Sequence, residues 1–166
     1  MDLRPTSYPG VLLRASHESD YGALYRIFTA SQRELMEAIH NLEDSQRESL
    51  MGMQFEAQQI HYRTQYPGAI FNVVVANEQV IGNFYTFRKE SEVRLIDISL
   101  LPEYRNRGIG HALLKQLLDQ SAAQSLWVSL HVSVGNPAIR LYERLGFIST
   151  STHGVHVHMQ WAPPSL

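Results

Sequence analysis

The sequence predicts one α/β (α+β) domain over residues 1–166, built on a mixed central sheet of about six to seven strands flanked by helices. Three observations predict it. Strand-like and helix-like periodicities interleave along the whole chain, in the order β-αα-β-β-β-α-β-α-β-β. The stretch from Leu126 to Val134 sets Val128, Leu130, Val132 and Val134 on one face, as a buried strand does. The 166 residues, 44% hydrophobic and 18% charged, have globular composition and length enough to bury roughly 70% of the unfolded chain's surface.

Each element has its own signal. Val11 to Ala15 reads as a first short strand, and Ser19-Asp20 offers a helix N-cap. Leu24, Ile27, Phe28, Leu35 and Ile39 follow at helical spacing and predict one helix over about 20–39. A second helix runs from Asp44 to Tyr66, where Pro67-Gly68 stops it. It carries two apolar stripes. Leu50, Met53, Ala57 and Ile60 fall within about 80° of one another, while Met51, Phe55, Tyr62 and Tyr66 lie on a different side. The first stripe is expected to face the core, which leaves the second in need of another partner. Ala69–Ala76 and Val80–Phe87 form a hairpin about Asn77-Glu78-Gln79, and a further strand, Val93–Leu101, ends at Pro102. Ile109, Leu113, Leu114, Leu117 and Leu118 mark a helix over about 108–123. After the 126–134 strand, Asn136-Pro137 starts a short helix that Gly146 closes. Phe147–Thr150 and Val155–Trp161 read as a last hairpin.

Composition narrows the function. A formal net charge of −2 argues against a protein built to hold nucleic acid phosphates. With no cysteine, disulfides, thiolate metal sites and cysteine nucleophiles are ruled out. The opening MDLRPTSYPG lacks the apolar run of a signal peptide, and no segment approaches the ~18 apolar residues of a membrane helix. The expectation is a cytoplasmic protein without membrane or nucleic acid partners.

The informative segment is the one from Ile96 to Leu114, where a strand runs into a glycine-bearing turn that opens a helix. Helix N-termini present unpaired N–H groups and partial positive charge, glycine lets backbone approach a ligand, and Arg105 and Arg107 add full charges. Physically this is an anion cradle suited to a pyrophosphate. A P-loop is absent, since GxxxxGK[ST] does not occur. A dinucleotide fingerprint fails twice: Leu113 stands where a third glycine is needed, and Ser129, Leu130 and His131 where an acid is needed. What remains is Arg-x-x-Gly-x-Gly over residues 105–110, against the plainer reading of a tight strand-to-helix connection.

Two motifs together resemble the GNAT N-acetyltransferase superfamily. One is Pro102-Glu-Tyr-Arg-Asn-Arg-Gly-Ile-Gly110, which matches Gln/Arg-x-x-Gly-x-Gly/Ala after a strand; the other is Asn136-Pro-Ala-Ile-Arg-Leu-Tyr-Glu-Arg-Leu-Gly-Phe147, which matches Asn-x-x-Ala-x-x-x-Tyr-x-x-x-Gly-Phe. The resemblance spans about 11–161, with specific motifs only in 95–147. It implies the GNAT fold, with the sheet splayed between the strands at 93–101 and 126–134, and acetyl transfer from acetyl-CoA to a primary amine. It further implies that the turn Arg105, Asn106, Arg107, Gly108, Ile109, Gly110 and His111 holds the CoA pyrophosphate, largely by backbone. Ile98, Ser99 and Leu100 would pair with the pantetheine arm, Asn136 would touch the pantetheine or the adjacent strand, and Ala138 would pack near the adenosine arm.

Tyr142 matches the family's general acid, which protonates the leaving thiolate. On its helix it shares one face with Ala138, Leu141 and Leu145, opposite Arg140, Glu143 and Arg144, so it points toward the sheet. The alternative is a core tyrosine bonded to a backbone carbonyl. Asp97 is the candidate base or anchor of a water chain, against pairing with Arg94 or Arg88; Glu92 is a weaker candidate. His153, His156 and His158 read as the polar side of a half-buried strand rather than a metal site, so no metal is expected. His131 could approach the acceptor amine, although a satisfied core histidine is the plainer reading. The acceptor is a small-molecule or peptide amine. Phe55 and Tyr62 of the second stripe are expected to wall its site, with a homodimer interface as the rival use of that stripe. A non-catalytic acetyl-CoA-binding regulatory or partner-binding module is the alternative function.

Overall fold

The computed structural model describes residues 3–164. Eight strands form one sheet: β1 (Arg4–Pro5), β2 (Val11–Ala15), β3 (Ile70–Ala76), β4 (Gln79–Arg88), β5 (Glu92–Leu100), β6 (Trp127–Ser133), β7 (Ile148–His153) and β8 (His156–Trp161). Their order is β1-β2-β3-β4-β5-β6-β8-β7, and every neighbouring pair is antiparallel except β5 and β6, which run parallel. The helices are α1 (Tyr21–Ser31), α2 (Arg33–Ala38), α3 (Asp44–Gln65), α4 (Ile109–Ala122) and α5 (Ile139–Arg144). The predicted mixed sheet is present with one strand more than expected. The extra strand is β1, whose two residues are too short to carry a periodicity.

The two faces of the sheet bury different cores. Under α4 and α5, Leu113, Leu114, Leu117 and Leu118 pack with Val93, Leu95, Val128 and Leu130 in the main cluster. On the other face, Phe28 of α1 packs with Met51 and Phe55 of α3 in a second cluster. There α3 stands on a row of rings: Tyr62 meets Tyr85 edge-on at 6.1 Å, and Tyr66 meets Phe87 at 5.6 Å.

This packing reverses the predicted roles of the α3 stripes. Met51 and Phe55 are each 2% exposed, whereas Met53 and Ile60, expected in the core, are 66% and 63% exposed. Both stripes carry four apolar residues, so hydropathy does not rank them. The partner surface decides: a sheet face bearing Phe71, Tyr85 and Phe87 selects aromatic side chains that can stack edge-to-face. The stripe held to need an outside partner is therefore turned inward.

The helix predicted over 20–39 is also divided. Gln32, with φ −94° and ψ 45°, leaves helical geometry between α1 and α2. The hydroxyls of Thr29 and Ser31 donate to the carbonyls of Arg26 and Phe28 at 2.9 and 2.7 Å, competing with continuation of the helix. At the other end, Asp20 does not cap α1 with its side chain. Its carboxylate accepts from both terminal nitrogens of Arg14, at 2.6 and 2.8 Å, and from the backbone N–H of His17 at 2.8 Å. Both charged residues are buried. The Arg14 guanidinium holds the Asp20 carboxyl below its ordinary value. That contribution to stability is present above the usual aspartate range and is lost as pH falls through the lowered value. Asp20→Ala strands the buried guanidinium, and urea unfolding at pH 7 should find a loss of about 3 to 5 kcal/mol. A loss below ~1 kcal/mol would place the pair among ordinary surface ion pairs.

Candidate active site

The sheet is forked at its centre. β5 and β6 pair only from Glu92 with Trp127 to Leu95 with Leu130; beyond that, β5 continues to Leu100 and β6 to Ser133 without pairing to each other. The expected splay between these two strands is thus present. A cleft of about 1200 Å³ opens at the fork, lined by α1, α3, β4, β5, β6, the 105–111 turn and the start of α5.

A β-bulge at the fork aims the candidate base. Thr86 of β4 opposes Leu95, but Tyr85 opposes Asp97, which leaves Ile96 as an extra residue on β5. Directly opposed residues share a face, so Asp97 and Ser99 emerge beside Tyr85 and Asn83, on the α1–α3 side. Without the extra residue Asp97 would fall in step with Val93 and Leu95, into the core under α4. One glycine supports this geometry and carries no family signal in the sequence. A Cβ on Gly82 would lie 2.4 Å from the Ser99 carbonyl oxygen and 2.6 Å from the Leu100 side chain, so only glycine lets β4 approach the end of β5 this closely.

Asp97 makes no ion pair with Arg94 or Arg88. Its carboxylate accepts from Asn83 Nδ2 at 2.8 Å and from Ser99 Oγ at 3.3 Å. Burial pushes the carboxyl above its ordinary value, and these two hydrogen bonds with the Ile98 N–H only partly offset that. Its charge is felt by the phenols of Tyr62, Tyr85 and Tyr142, each raised above the ordinary tyrosine range first by burial and then by Asp97. Tyr142 is 6% exposed and stacks edge-on with Phe147 at 5.8 Å. Among the described residues its hydroxyl has no hydrogen-bond partner, and no fully buried side-chain polar atom lacks one; the hydroxyl therefore opens onto the cleft. It is not a core tyrosine tied to a backbone carbonyl.

The glycine turn leaves a run of backbone donors at the head of α4. Gly108, at φ 86°, is the N-cap of α4 and supplies no side-chain cap. The backbone N–H groups of residues 106–111 donate to nothing among the described residues; Arg105 N–H bonds to Pro102 and Ala112 N–H to Gly108. Such a run of free donors at the head of a 14-residue helix suits a diphosphate. The Arg105 side chain is engaged elsewhere: Nε donates to the Leu100 carbonyl at 2.8 Å and a terminal nitrogen to the Ala30 carbonyl at 3.0 Å. It thereby caps the end of α1 from the far side of the cleft. Arg107 stacks over Tyr104 at 5.6 Å, away from the cleft wall, and Ile109 turns its side chain into the core.

The remaining candidates divide in the same way. Ile98, Ser99, Leu100, Gly110 and His111 line the cleft. So do Asn136 and Ala138, and Asn136 Oδ1 accepts from the Ala138 N–H at 2.9 Å to start the turn that leads into α5. Phe55 and Tyr62 of α3 line it as well. His131 is not a core residue; it is exposed on the β6 arm of the cleft, with Nδ1 against the Arg94 guanidinium and its ring 4.8 Å from that of His158. Among the described residues no three His, Asp or Glu side chains gather as a metal-binding group, and no helix is long and apolar enough to cross a membrane.

The forked sheet thus brings a glycine turn with free backbone donors, a tyrosine and a half-buried carboxylate to one cleft. The model of the acetyltransferase (GNAT) family matches residues 35–147, and the chain belongs to that family. The ribosomal protein bS18-alanine N-acetyltransferase of Escherichia coli strain K12 is 39% identical over 59 residues, which are 34% of this chain and 39% of that protein. The match thus spans well under half the length of that relative. Among solved structures, the PaiA N-acetyltransferase of Thermoplasma acidophilum in complex with coenzyme A superposes with a TM-score of 0.70 at 18% identity, covering 92% of this chain and 98% of that one. The ribosomal-protein-S18-alanine N-acetyltransferase structure from Escherichia coli gives 0.64 at 21% identity, covering 94% and 96%. At these identities both likenesses establish the shared fold.

Proposed function

We propose that the protein is an acetyl-CoA-dependent N-acetyltransferase that moves an acetyl group to a primary amine by direct attack on the thioester. The observation that carries this reading is the run of free N–H donors over 106–111, at the mouth of a fork holding Asp97 and Tyr142. Bound acetyl-CoA supplies the thioester and its thiolate leaving group. The 106–111 turn holds the diphosphate by backbone, and the edge of β5 at Ile98, Ser99 and Leu100, which β6 leaves unpaired, borders an amide-bearing arm, with the Leu100 carbonyl already held by Arg105. Asn136 and Ala138 border the same channel. Asp97, directly or through water, takes a proton from the incoming ammonium. Tyr142 gives its phenolic proton to the departing sulfur; a phenol raised by burial stays protonated at neutral pH and so remains a donor. Phe55 and Tyr62 wall the acceptor end.

Acetyl-CoA should raise the melting temperature, because it binds only the folded protein. Gly108→Val should abolish that shift while leaving most of the fold: a branched side chain is strained at φ 86° and stands among the donors. No shift in the wild type at millimolar acetyl-CoA would overturn the cofactor assignment. Release of free CoA with a panel of amines then tests transfer itself, and binding without release toward any amine would favour a regulatory CoA-binding module.

A further inference from the structure

The mechanism above uses the β5 arm of the fork and leaves the β6 arm idle. His131 is the first residue of β6 beyond its last pairing with β5, and it shares a face with Ser129. Ser129 opposes Arg94, Arg94 opposes Phe87, and Phe87 alternates with Tyr85, which opposes Asp97. His131 and Asp97 therefore flank the fork from its two arms on the same side of the sheet. That is also the side on which Phe55 and Tyr62 wall the cleft.

Arg94 fixes what His131 can do. Arg94 is 7% exposed and makes no ion pair among the described residues; one terminal nitrogen donates to Ser129 Oγ at 2.9 Å and the other lies against His131 Nδ1. Ser129 Oγ in turn donates to Glu92, whose carboxylate also lies 3.6 Å from Lys89 Nζ and is therefore shared between two cations. A guanidinium only donates, so Nδ1 must be the acceptor and the ring hydrogen sits on Nε2. The ring, on a residue that lines the cleft, then keeps Nε2–H as its donor and has no free lone pair to serve as a base. Glu92, Ser129, Arg94 and His131 form a chain whose end product is one oriented N–H.

We infer that His131, held in the Nε2–H tautomer by Arg94, is a specificity-determining residue that binds the carbonyl oxygen of an acceptor whose amine and carbonyl sit on one carbon, as in a peptide N-terminus. The amine then faces Asp97 on one arm while the adjacent carbonyl accepts from His131 on the other. A lysine side chain or a polyamine has no such oxygen and leaves the donor unsatisfied. This inference rests on the transferase reading.

The test compares L-alaninamide with 3-methylbutan-2-amine, which has its shape but no carbonyl, in the wild type and in His131→Phe. The variant keeps a planar ring at an exposed position and removes the donor. The ratio of kcat/KM for the two amines cancels their different basicities when the two proteins are compared. That ratio should fall about tenfold or more in His131→Phe, on the scale by which sites built to bond a polar group reject analogues lacking it. Ratios equal within about twofold would overturn the inference. So would ring nitrogen NMR shifts at pH 7 showing the hydrogen of His131 on Nδ1. Binding of the same two amines to the protein–CoA complex, read by calorimetry, gives the ratio without turnover. Discrimination in binding with no CoA release therefore overturns the transferase reading and spares this one. Adding free L-alanine identifies the source of the carbonyl: alaninamide above alanine supports a peptide N-terminus, and the reverse order overturns that part in favour of a free amino acid.

Discussion

Tyr142→Phe is expected to keep acetyl-CoA binding nearly intact and to lose about ten- to a thousand-fold in turnover, the range usual for general acid assistance. The substitution removes one oxygen. That hydroxyl bonds to nothing among the described residues, so its loss breaks no structural contact, while the ring can still stack on Phe147. Melting temperature and thermal shift by acetyl-CoA should therefore stay close to wild type, which separates a chemical role from a packing one. If chemistry is rate-limiting and the variant turns over as fast as wild type, Tyr142 is a packing residue. An acyl donor with a better leaving group than CoA offers a second check: the deficit should shrink as the leaving thiolate needs less help from a proton.

Tyr142 could be found in the sequence because helix periodicity alone put it on the inward face of its helix, and the motif around it fixed the register. The glycine turn was legible for a similar reason: a strand, a turn and a helix start each leave local marks, and free N–H groups are a property of any uncapped helix start. The fork was legible only by resemblance, since parting of two strands is a property of pairing and not of either strand's own pattern. Its consequence at Asp97 was harder still. Alternation correctly set Asp97 opposite Ile98, yet the face it occupies depends on the bulged Ile96, and one residue of slip reverses the whole strand.

Other features lay beyond local reading because their causes lie across the fold. The Arg105 side chain reaches two carbonyls, one of them at the end of α1, and nothing in its own motif announces Ala30. Gly82 is obligatory because of where Ser99 and Leu100 sit, not because of its neighbours in β4. The α3 stripes were equal in hydropathy and unequal in shape, and the aromatic row on β3 and β4 made the choice. His131 looked like a core residue because its strand is apolar; its fellow strand residues Leu130 and Val132 do point into the core, and alternation turns His131 out to the cleft.

Asp97→Asn should lower turnover by about a hundred- to ten-thousand-fold while making the protein more stable at neutral pH. The two effects have one cause. Burial raises the Asp97 carboxyl above its ordinary value, so the folded protein favours the protonated form more than the unfolded chain does. Relative to the unfolded state, that preference stabilises the fold below the usual aspartate range. It is lost as pH rises through the raised value, above which the half-buried, partly desolvated carboxylate costs stability. Asparagine keeps an oxygen to accept from Asn83 Nδ2 and carries no charge, so it escapes that cost. The gain in melting temperature of the variant over wild type should thus be near zero at pH 4, grow as pH rises, and level off above the raised value. In the wild type, kcat/KM should fall as pH drops through the same value, because the base must be ionised to take the ammonium proton. A variant no more stable than wild type at pH 8 would mean that the carboxylate is well solvated in the cleft. A variant with wild-type turnover would move the base elsewhere on the cleft wall.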